Sequence, residues 1–426
     1  MTLSSIAFRS LKFEPKRYLL LFLVASFGIA LTITAIGMMN GLISSFNNKA
    51  RIYYGGDLML LHSSNGSLGW YSTEETISKI EPYFTSKDFI ISSRIDYEND
   101  NTYLYFEGES FKQRKIKGVD FNKEEKLFSS LTFVEGSRKI QKGTNGIYIS
   151  SATADYLKLK IGDEVLLMLK TVNNYTETTN LIVQGIFQDS SLFGANVSYL
   201  DLEFLRNLIN YPKDYSISIG AFSNKDLSTA QILFIQNDLN QFFDMYPIVE
   251  DKQDFINNLY KAKGKTALIT LTSNLENLNF LILAMHIIIY IIIAILILII
   301  AIGIGSTYKV IAVKRTNEIG MYMALGLAPK GIINLFLIEV VYLMSAAFIS
   351  SFLIYFILSF AINLVDFTAI PALDIFLMNG KILIQPSILQ VIAIYGIVIV
   401  TTLIFVYFTI RKCVKINPVD ALSVTE

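Results

Sequence analysis

The amino-acid sequence predicts a membrane protein with four transmembrane α-helices and a large α+β extracytoplasmic domain between the first and the second of them. Its mean hydropathy is +0.46, and charged residues make up 17% of the 426 residues, below the ~25% that is typical of soluble domains. The apolar residues are concentrated in four runs, each long enough for the ~20 residues that a spanning helix needs. Residues 41–278 separate the first two runs and can form one or two compact domains.

The four apolar runs predict spans at residues 18–40, 279–305, 331–360 and 388–410. In each run, apolar residues surround the whole helical circumference, unlike the single apolar stripe of a soluble helix. The first run is longer than the apolar core of a secretory signal peptide, and no A-x-A cleavage site follows it. We therefore expect the first span to be retained.

Basic residues near the helix ends predict the orientation, because they favour the cytoplasmic side. Eleven of them lie in the N-terminal segment 1–17, the loop 306–330 and the tail 411–426. Six lie in the loop 361–387 and in the flanks of residues 41–278. We therefore expect both termini and the loop 306–330 in the cytoplasm, and the domain of residues 41–278 outside it.

The segment between the first two spans shows the patterns of both strands and helices. Its strand-like pieces, several of which alternate apolar and polar residues as a half-buried sheet does, are 57–61, 90–97, 102–106, 116–121, 146–150, 165–170 and 180–187. Helical patterns are found at 72–83, 150–157, 201–210 and 226–246. The strands do not alternate regularly with the helices, which favours an α+β domain over a parallel α/β fold.

No arrangement of side chains in this domain predicts catalysis. His62 has no obvious Cys, Ser or Asp arrangement around it and is expected to be a surface or turn residue. The acidic pairs 74–75 and 124–125 are expected on solvated helix faces, whereas Trp70 is expected in the domain core. The chain is therefore predicted to be a non-catalytic protein.

Composition argues against several other functions. Basic and acidic residues balance at 36 each, so nothing indicates a nucleic-acid partner. The single cysteine, Cys413, excludes an intrachain disulfide, and two histidines are too few for a Cys/His zinc site. Residues 264–266 read Gly-Lys-Thr, like the end of a phosphate-binding loop, but Leu259 stands where the full pattern has its first glycine. We expect no cofactor and no metal in this chain.

The loop between the second and third spans is predicted to contain a short amphipathic helix at residues 318–325. Ile319, Tyr322 and Met323 share one face of this helix, at positions i, i+3 and i+4. Gly326 suits the position just after its end, where a left-handed conformation is favoured. Two interpretations are open: an interfacial helix on lipid headgroups, or a docking element for a cytoplasmic motor.

A motif surrounds this helix. The chain has Arg315, then E-I-G at 318–320, A-L-G at 324–326, and Glu339 in the following span. This pattern resembles the cytoplasmic signature of FtsX/MacB-type ABC-transporter permeases. The C-terminal sequence NPVDALSV at 417–424 resembles the closing motif of the same family, and the arrangement of four spans around one large domain also matches.

The resemblance implies that the loop helix contacts a separate cytoplasmic ABC ATPase, present in two copies, which binds ATP and Mg. A second permease subunit, identical or different, is implied as well. The residues that would couple this chain to the ATPase are Arg315, Glu318, Ile319, Gly320, Met323, Ala324, Leu325 and Gly326. Implied with them is a location in the bacterial inner membrane.

Three further stretches resemble the LolC/LolE lipoprotein-releasing subunits of this family: GMMNG at 37–41 followed by GGDL at 55–58, then 147–167, and then 183–208. They imply release of lipoproteins from the inner membrane toward the outer membrane, with a periplasmic lipoprotein carrier as a further partner. The alternative is an FtsX/MacB-type permease for another substrate or for regulating cell-wall hydrolases. A membrane-anchored sensor is a third interpretation, but the short tails and loop leave no room for an output domain.

Release of a lipid-anchored protein would need an apolar cavity open to the membrane lipid. The residues that could line it are Met38, Met39, Leu42 and Phe46, with ordinary helix packing as the alternative. Gly37 and Gly41 form a G-x-x-x-G pattern, and Ser26, Ala30 and Thr34 recur every four positions. Such faces favour close contact with another span, within the subunit or across a dimer.

Two polar residues lie inside predicted spans. Glu339 is interpreted either as a residue that couples conformational change or as a protonated or hydrogen-bonded packing residue, since charge within the bilayer is unfavourable. His286 indicates an interhelical hydrogen bond more than a proton relay.

Overall fold

The computed structural model describes residues 3–13, 15–129, 131–136, 139–188, 193–223, 227–367, 370–378 and 380–414. The helices are α1 (Leu3–Phe13), α2 (Pro15–Tyr54), α3 (Thr73–Thr85), α4 (Glu125–Phe128), α5 (Ser151–Leu157), α6 (Leu202–Leu208), α7 (Thr229–Leu239), α8 (Lys252–Asn257), α9 (Leu271–Asn274), α10 (Glu276–Lys314), α11 (Thr316–Ala324), α12 (Pro329–Asn363) and α13 (Ile388–Cys413), with a 3₁₀ turn at Pro371–Phe376. The strands are β1 (Leu58–Ser64), β2 (Ser67–Leu68), β3 (Phe89–Tyr97), β4 (Tyr103–Phe106), β5 (Glu109–Lys112), β6 (Lys115–Val119), β7 (Phe133–Gly136), β8 (Gly146–Ser150), β9 (Glu164–Lys170), β10 (Thr176–Phe187), β11 (Val197–Asp201), β12 (Ser218–Ser223) and β13 (Thr266–Thr270).

The chain divides into two compact units. The helical unit comprises Met1–Leu42, Leu283–Asp366 and Ile382–Glu426, and the sheet unit comprises Ile43–Ile282 and Phe367–Lys381. The predicted limits of the extracytoplasmic domain, 41–278, lie close to those of the sheet unit.

Among the described residues, four helices are long and apolar enough to cross a membrane: α2, α10, α12 and α13. The prediction of four apolar helices is therefore confirmed. The helices extend beyond the predicted spans, most of all α2, which continues to Tyr54, and α10, which continues to Lys314. The apolar run predicts only the length that lipid requires, whereas a helix continues as long as its backbone bonds and packing are favourable.

The core of the helical unit is built from apolar side chains of all four long helices. The small-residue face of α2 packs inside this unit. Ser26 Oγ lies 2.6 Å from Ser350 Oγ on α12, and a Cβ added at Gly28 would lie 2.6 Å from the Ile300 side chain on α10. The predicted close contact with another span is therefore present within the subunit at Ser26, and Gly28, which the prediction did not include, makes a second one.

Gly37 and Gly41 have a different neighbour from the one predicted. They face the extended segment 382–387 that leads into α13, not a spanning helix. A Cβ at Gly41 would overlap the carbonyl oxygen of Leu383, and Gln385 N donates to the Gly37 carbonyl at 2.9 Å. The G-x-x-x-G pattern predicts a close backbone approach, but not which backbone approaches.

We expect Gly41→Ala to destabilise the protein by about 1–3 kcal/mol, because the overlap with the Leu383 carbonyl can be relieved only by moving backbone. Gly303→Ala, in α10, is the matched control: a Cβ there has nothing within 4 Å, and alanine favours the helix by roughly 1 kcal/mol over glycine. Chemical unfolding of the full chain in micelles measures both. Equal changes in the free energy of unfolding, in the same direction for both variants, would contradict the close backbone approach at Gly41.

The sheet unit contains one mixed sheet of thirteen strands in the described residues. Its order is β13-β1-β12-β3-β6-β11-β8-β10-β9-β4-β5, with β2 paired to β1 and β7 paired to β10. β8 and β10 are parallel, as are β6 and β11, and the other pairs of named strands are antiparallel. This arrangement confirms the predicted α+β class.

The seven predicted strands correspond to β1, β3, β4, β6, β8, β9 and β10. The strands that the sequence did not predict are β2, β5, β7, β11, β12 and β13. Every residue of β11 and β13 is buried, so these strands lack the alternation of polar and apolar residues that identifies a half-buried strand.

The predicted helices at 72–83, 150–157 and 201–210 correspond to α3, α5 and α6. The predicted helix at 226–246 is shorter: α7 begins after a capping box formed by Ser228 and Gln231 and ends at Leu239, and residue 226 lies outside the described residues. Trp70 is buried in the core and donates from Nε1 to the Leu60 carbonyl at 3.3 Å, as expected.

His62 is not the surface or turn residue that was predicted. It lies on β1, stacks on the Trp70 ring at a centroid distance of 4.8 Å, and has Nδ1 3.1 Å from Thr266 Oγ1. Burial lowers the pKa of its imidazole. The face that a single histidine occupies on a strand is not evident from the sequence until the strand register is known.

Glu124 also corrects a prediction, since it is buried rather than solvated. Arg94 Nε donates to Glu124 Oε1 at 2.9 Å, and a second guanidinium nitrogen donates to Oε2. Arg94 Nη1 also donates to the carbonyl of Ile52 at 2.5 Å, in the last turn of α2. Carbonyls there have no partner within the helix, so this ion pair caps the C-terminal end of α2. Glu74 and Glu75 are exposed, as expected.

Candidate functional site

The candidate site is the turn between α10 and α12. α10 ends at Lys314, α11 follows as a helix of nine residues, and α12 begins at Pro329. Gly326 has a φ of +89°, and Leu327 N donates to the Tyr322 carbonyl at 2.9 Å, which closes the end of the short helix. The predicted helix is present and begins two residues earlier than expected.

Arg315 stands between α10 and α11 and turns its side chain inward, where only 3% of it is exposed. Its Nη1 donates to Glu339 Oε1 on α12 at 2.8 Å and to the Tyr18 hydroxyl on α2 at 3.2 Å. Its Nε donates to Glu318 Oε2 on α11 at 2.6 Å. One guanidinium therefore connects three helices at the start of α11.

Glu339 is fully buried, and both oxygens of its carboxylate accept hydrogen bonds. It accepts hydrogen bonds from Arg315 and, at 3.2 Å, from the Tyr18 hydroxyl. The packing interpretation of Glu339 requires hydrogen-bond partners for its carboxyl group, and the structure contains them. Charge-assisted bonds of this kind are about twice as strong as neutral ones, so they offset much of the unfavourable burial of the carboxylate.

Tyr18 was not predicted to belong to this site. It begins the first apolar run, and nothing in its spacing connects it with residues 315 and 339. The family resemblance implied that Arg315 takes part in coupling to the ATPase; its side chain is buried at the start of α11, and its part in coupling stays a prediction. The remaining coupling residues divide between two faces of this helix.

The buried face of α11 carries Ile319 and Gly320, and Met323 packs against the core of the helical unit. The opposite face is apolar and open: Met321 is 51% exposed and Leu325 is 79% exposed. Ala324 and Gly326 are exposed beside them. We refer to residues 321, 324, 325 and 326 as the α11 surface.

A cleft of about 380 Å³ adjoins this turn. One wall is formed by Arg315, Glu318 and Tyr322, and the other by residues of α1, namely Ile6, Arg9, Ser10 and Phe13. No helix was predicted in segment 1–17. The signal was present: Leu3, Ile6, Ala7 and Leu11 follow the spacing of one helical face.

Comparison with known proteins bears on the same part of the chain. Residues 290–418, which include α11 and Glu339, match a family model described as FtsX-like permease C-terminal. This is the FtsX-like region of the chain. With its four long apolar helices, the chain is a multi-pass membrane protein.

Solved structures give weaker similarities. The periplasmic region of MacB from Actinobacillus actinomycetemcomitans is 11% identical, covers 53% of this chain and 94% of its own, and has a TM-score of 0.33. A domain of a permease protein from Porphyromonas gingivalis is 12% identical, covers 43% of this chain and 79% of its own, and has a TM-score of 0.28. TM-scores this low carry no argument about function. No curated protein matches the chain.

The residues predicted to line a lipid cavity all belong to α2. Met39 and Phe46 are buried, with Phe46 packed between the rings of Phe193 and Phe376, whereas Met38 and Leu42 are half-buried. This arrangement agrees with the packing alternative for Phe46, and a lipid-lining role for the other three stays a prediction.

His286 is half-buried, with its ring 6.1 Å from that of Tyr290. The closing motif at 417–424 lies outside the described residues, as do residues 189–192 in the predicted stretch 183–208. Among the residues that the structure describes, no three His, Cys, Asp or Glu side chains are grouped as a metal ion would require.

Proposed function

We propose that this chain is the membrane subunit of an ATP-driven ABC transporter, and that it releases lipoproteins from the bacterial inner membrane toward the outer membrane. The observation that carries the proposal is α11, a short helix with an apolar outer surface whose base is tied by Arg315 to two spanning helices. The match of residues 290–418 to the FtsX-like permease family supports it.

The geometry around α11 suits the transmission of motion. A displacement of α11 acts on Arg315, and Arg315 acts on Glu339 in α12 and on Tyr18 in α2 through charge-assisted hydrogen bonds. Ile319 of α11 packs into the core of the helical unit, so apolar contacts also attach α11 to that unit. A push on the α11 surface therefore moves two spanning helices together.

The partners follow from this role. Permeases of this family work with cytoplasmic ABC ATPases, and here two ATPase copies would bind ATP and Mg while this chain binds neither. A second permease subunit, the same or different, would complete the membrane part. In this proposal both termini and α11 face the cytoplasm.

The lipoprotein substrate rests on the resemblance of residues 37–41, 55–58, 147–167 and 183–208 to LolC/LolE subunits. Withdrawing acyl chains from a bilayer costs about 0.8 kcal/mol for each methylene, so release needs an energy source such as the ATPase. A periplasmic carrier would then take up the released lipoprotein. The alternative is a permease of this type that serves another substrate or regulates cell-wall hydrolases.

Docking of the ATPase can be tested at Leu325. We expect Leu325→Asp to weaken the binding of the partner ATPase by at least about tenfold, because docking would bury the introduced carboxylate without a partner. Leu364→Asp is the matched control, since Leu364 is 70% exposed at the far end of α12. Affinity is measured with the purified full chain in nanodiscs. Equal weakening by both variants, or by neither, would exclude the α11 surface as the docking site.

The substrate is tested by depleting the chain in cells. If it releases lipoproteins, they accumulate in the inner membrane after depletion, and the wild-type chain restores their release. A division defect without lipoprotein accumulation would favour the alternative of cell-wall hydrolase regulation.

A further inference from the structure

A second cavity lies on the other side of α1. It is a groove of about 480 Å³ lined mainly by apolar side chains of α1, α2 and α12. α1 forms one wall because it lies against α12: the rings of Phe8 and Tyr342 meet edge-on at 5.9 Å, and Ser4 Oγ is 2.7 Å from the Tyr342 hydroxyl. Leu19 and Phe22 of α2 and Ala346 of α12 complete the apolar lining.

The groove continues onto an exposed apolar surface. Leu19, Leu20 and Leu23 of α2 are each at least half-exposed, and α2 is one of the four helices long and apolar enough to cross a membrane. Side chains of this kind on a spanning helix face acyl chains. A lipid chain can therefore enter the groove from the bilayer without crossing a polar barrier.

The mouth of the groove is basic. Lys12 lines it, and Lys16 and Arg17 follow at the start of α2, whereas Glu14 is the single acidic residue among the first forty. Lysine and arginine clusters beside a spanning helix attract anionic lipid headgroups. An apolar groove with a cationic mouth is complementary to an anionic phospholipid.

We propose that this groove binds one anionic phospholipid, with an acyl chain along Leu19, Phe22 and Ala346 and the headgroup at Lys12. α1 separates the groove from the cleft at α11, so the bound lipid would lie against the helix that forms one wall of that cleft. The proposal is independent of the transported substrate and of the partner ATPase.

The test uses two photoactivatable lipids, phosphatidylglycerol and phosphatidylcholine, which carry the same labelled acyl chains. The full-length chain is placed in nanodiscs that contain one or the other, and labelled peptides are identified by mass spectrometry. We expect phosphatidylglycerol to label the peptides containing Leu19 and Tyr342 at least about threefold more than phosphatidylcholine does.

Two pairs of variants separate the groove from general surface charge. Ala346→Trp fills the groove, and Ala361→Trp adds the same side chain at an exposed alanine later in α12. Lys12→Glu reverses the charge at the mouth, and Lys314→Glu does so at an exposed lysine at the end of α10. We expect the first variant of each pair to abolish the preference for phosphatidylglycerol and the second to retain it.

Equal labelling by the two lipids would overturn the proposal, and so would loss of the preference in a control variant. Crosslinks from the groove to a second copy of the chain, in place of lipid, would show that a protein occupies it and would also overturn the proposal. If Ala346→Trp fails to fold, Lys12→Glu with its control decides the outcome alone.

Discussion

Replacing Arg315 with methionine is expected to lower the free energy of unfolding by about 3–5 kcal/mol, because it leaves a buried carboxylate without its ionic partner. Glu339 is fully buried, and the Tyr18 hydroxyl would be its one remaining strong donor among those described above. The midpoint of chemical unfolding of the full chain in micelles measures the loss. Lys314→Met is the matched control, since Lys314 is exposed and precedes Arg315.

The double variant Arg315→Met with Glu339→Leu is expected to recover most of the lost stability. Replacing both members of a buried ion pair with apolar side chains is often neutral or stabilising, and Tyr18 keeps a contact with Ser10 at 3.3 Å. A double variant as unstable as Arg315→Met would show that the pair does not act as a unit.

The same double variant separates stability from transmission. If the ion pair transmits motion from α11, the double variant is folded and binds the ATPase, yet its transport is impaired. A stable double variant with normal transport would show that the pair serves only packing. The proposed path through Glu339 and Tyr18 would then be wrong, whereas the α11 surface would be unaffected.

Arg94→Met is expected to lower the free energy of unfolding by a similar amount, about 3–5 kcal/mol, because it leaves the buried carboxylate of Glu124 without its ionic partner. It also removes the donor to the carbonyl of Ile52 at the end of α2, so the last turn of that helix should fray. Amide hydrogen exchange in residues 50–54 reports the fraying, and chemical unfolding of the full chain reports the stability.

An exposed ion pair serves as the control for Arg94. Lys79 Nζ lies 2.6 Å from Glu75 Oε1, but their side chains are 62% and 65% exposed, and such pairs contribute little in water. We expect no measurable change in stability for Lys79→Met. If Arg94→Met changed the stability as little as Lys79→Met does, the ion pair of Arg94 with Glu124 would not stabilise the fold.

Much of the fold could be predicted because it depends on local patterns. The four long helices follow from runs of apolar residues, and α11 follows from the spacing of Ile319, Tyr322 and Met323. The strands that were missed depend on context instead. β11 and β13 are buried on both faces, so their sequences lack alternation, and only their neighbours in the sheet identify them as strands.

The candidate site, like the fold, could be predicted from the sequence only where it depends on local patterns. The sequence could place Arg315 beside α11 and Glu339 inside a span, but not the direction of a long side chain or the approach of Tyr18 from 297 residues away. Glu124 was misassigned for the same reason. A charged residue in a polar segment is expected in solvent, and its burial becomes visible only when Arg94 is brought to it by the sheet.

The order of Tyr18, Arg315 and Glu339 along the chain bears on biosynthesis. The two hydrogen-bond donors to Glu339 described above precede it along the chain, Arg315 by 24 residues and Tyr18 by 321. The ribosome therefore completes both donors before the carboxylate is made. When α12 enters the bilayer, its one acidic side chain can be neutralised at once by groups already present, so insertion of this helix need not leave an isolated charge in lipid.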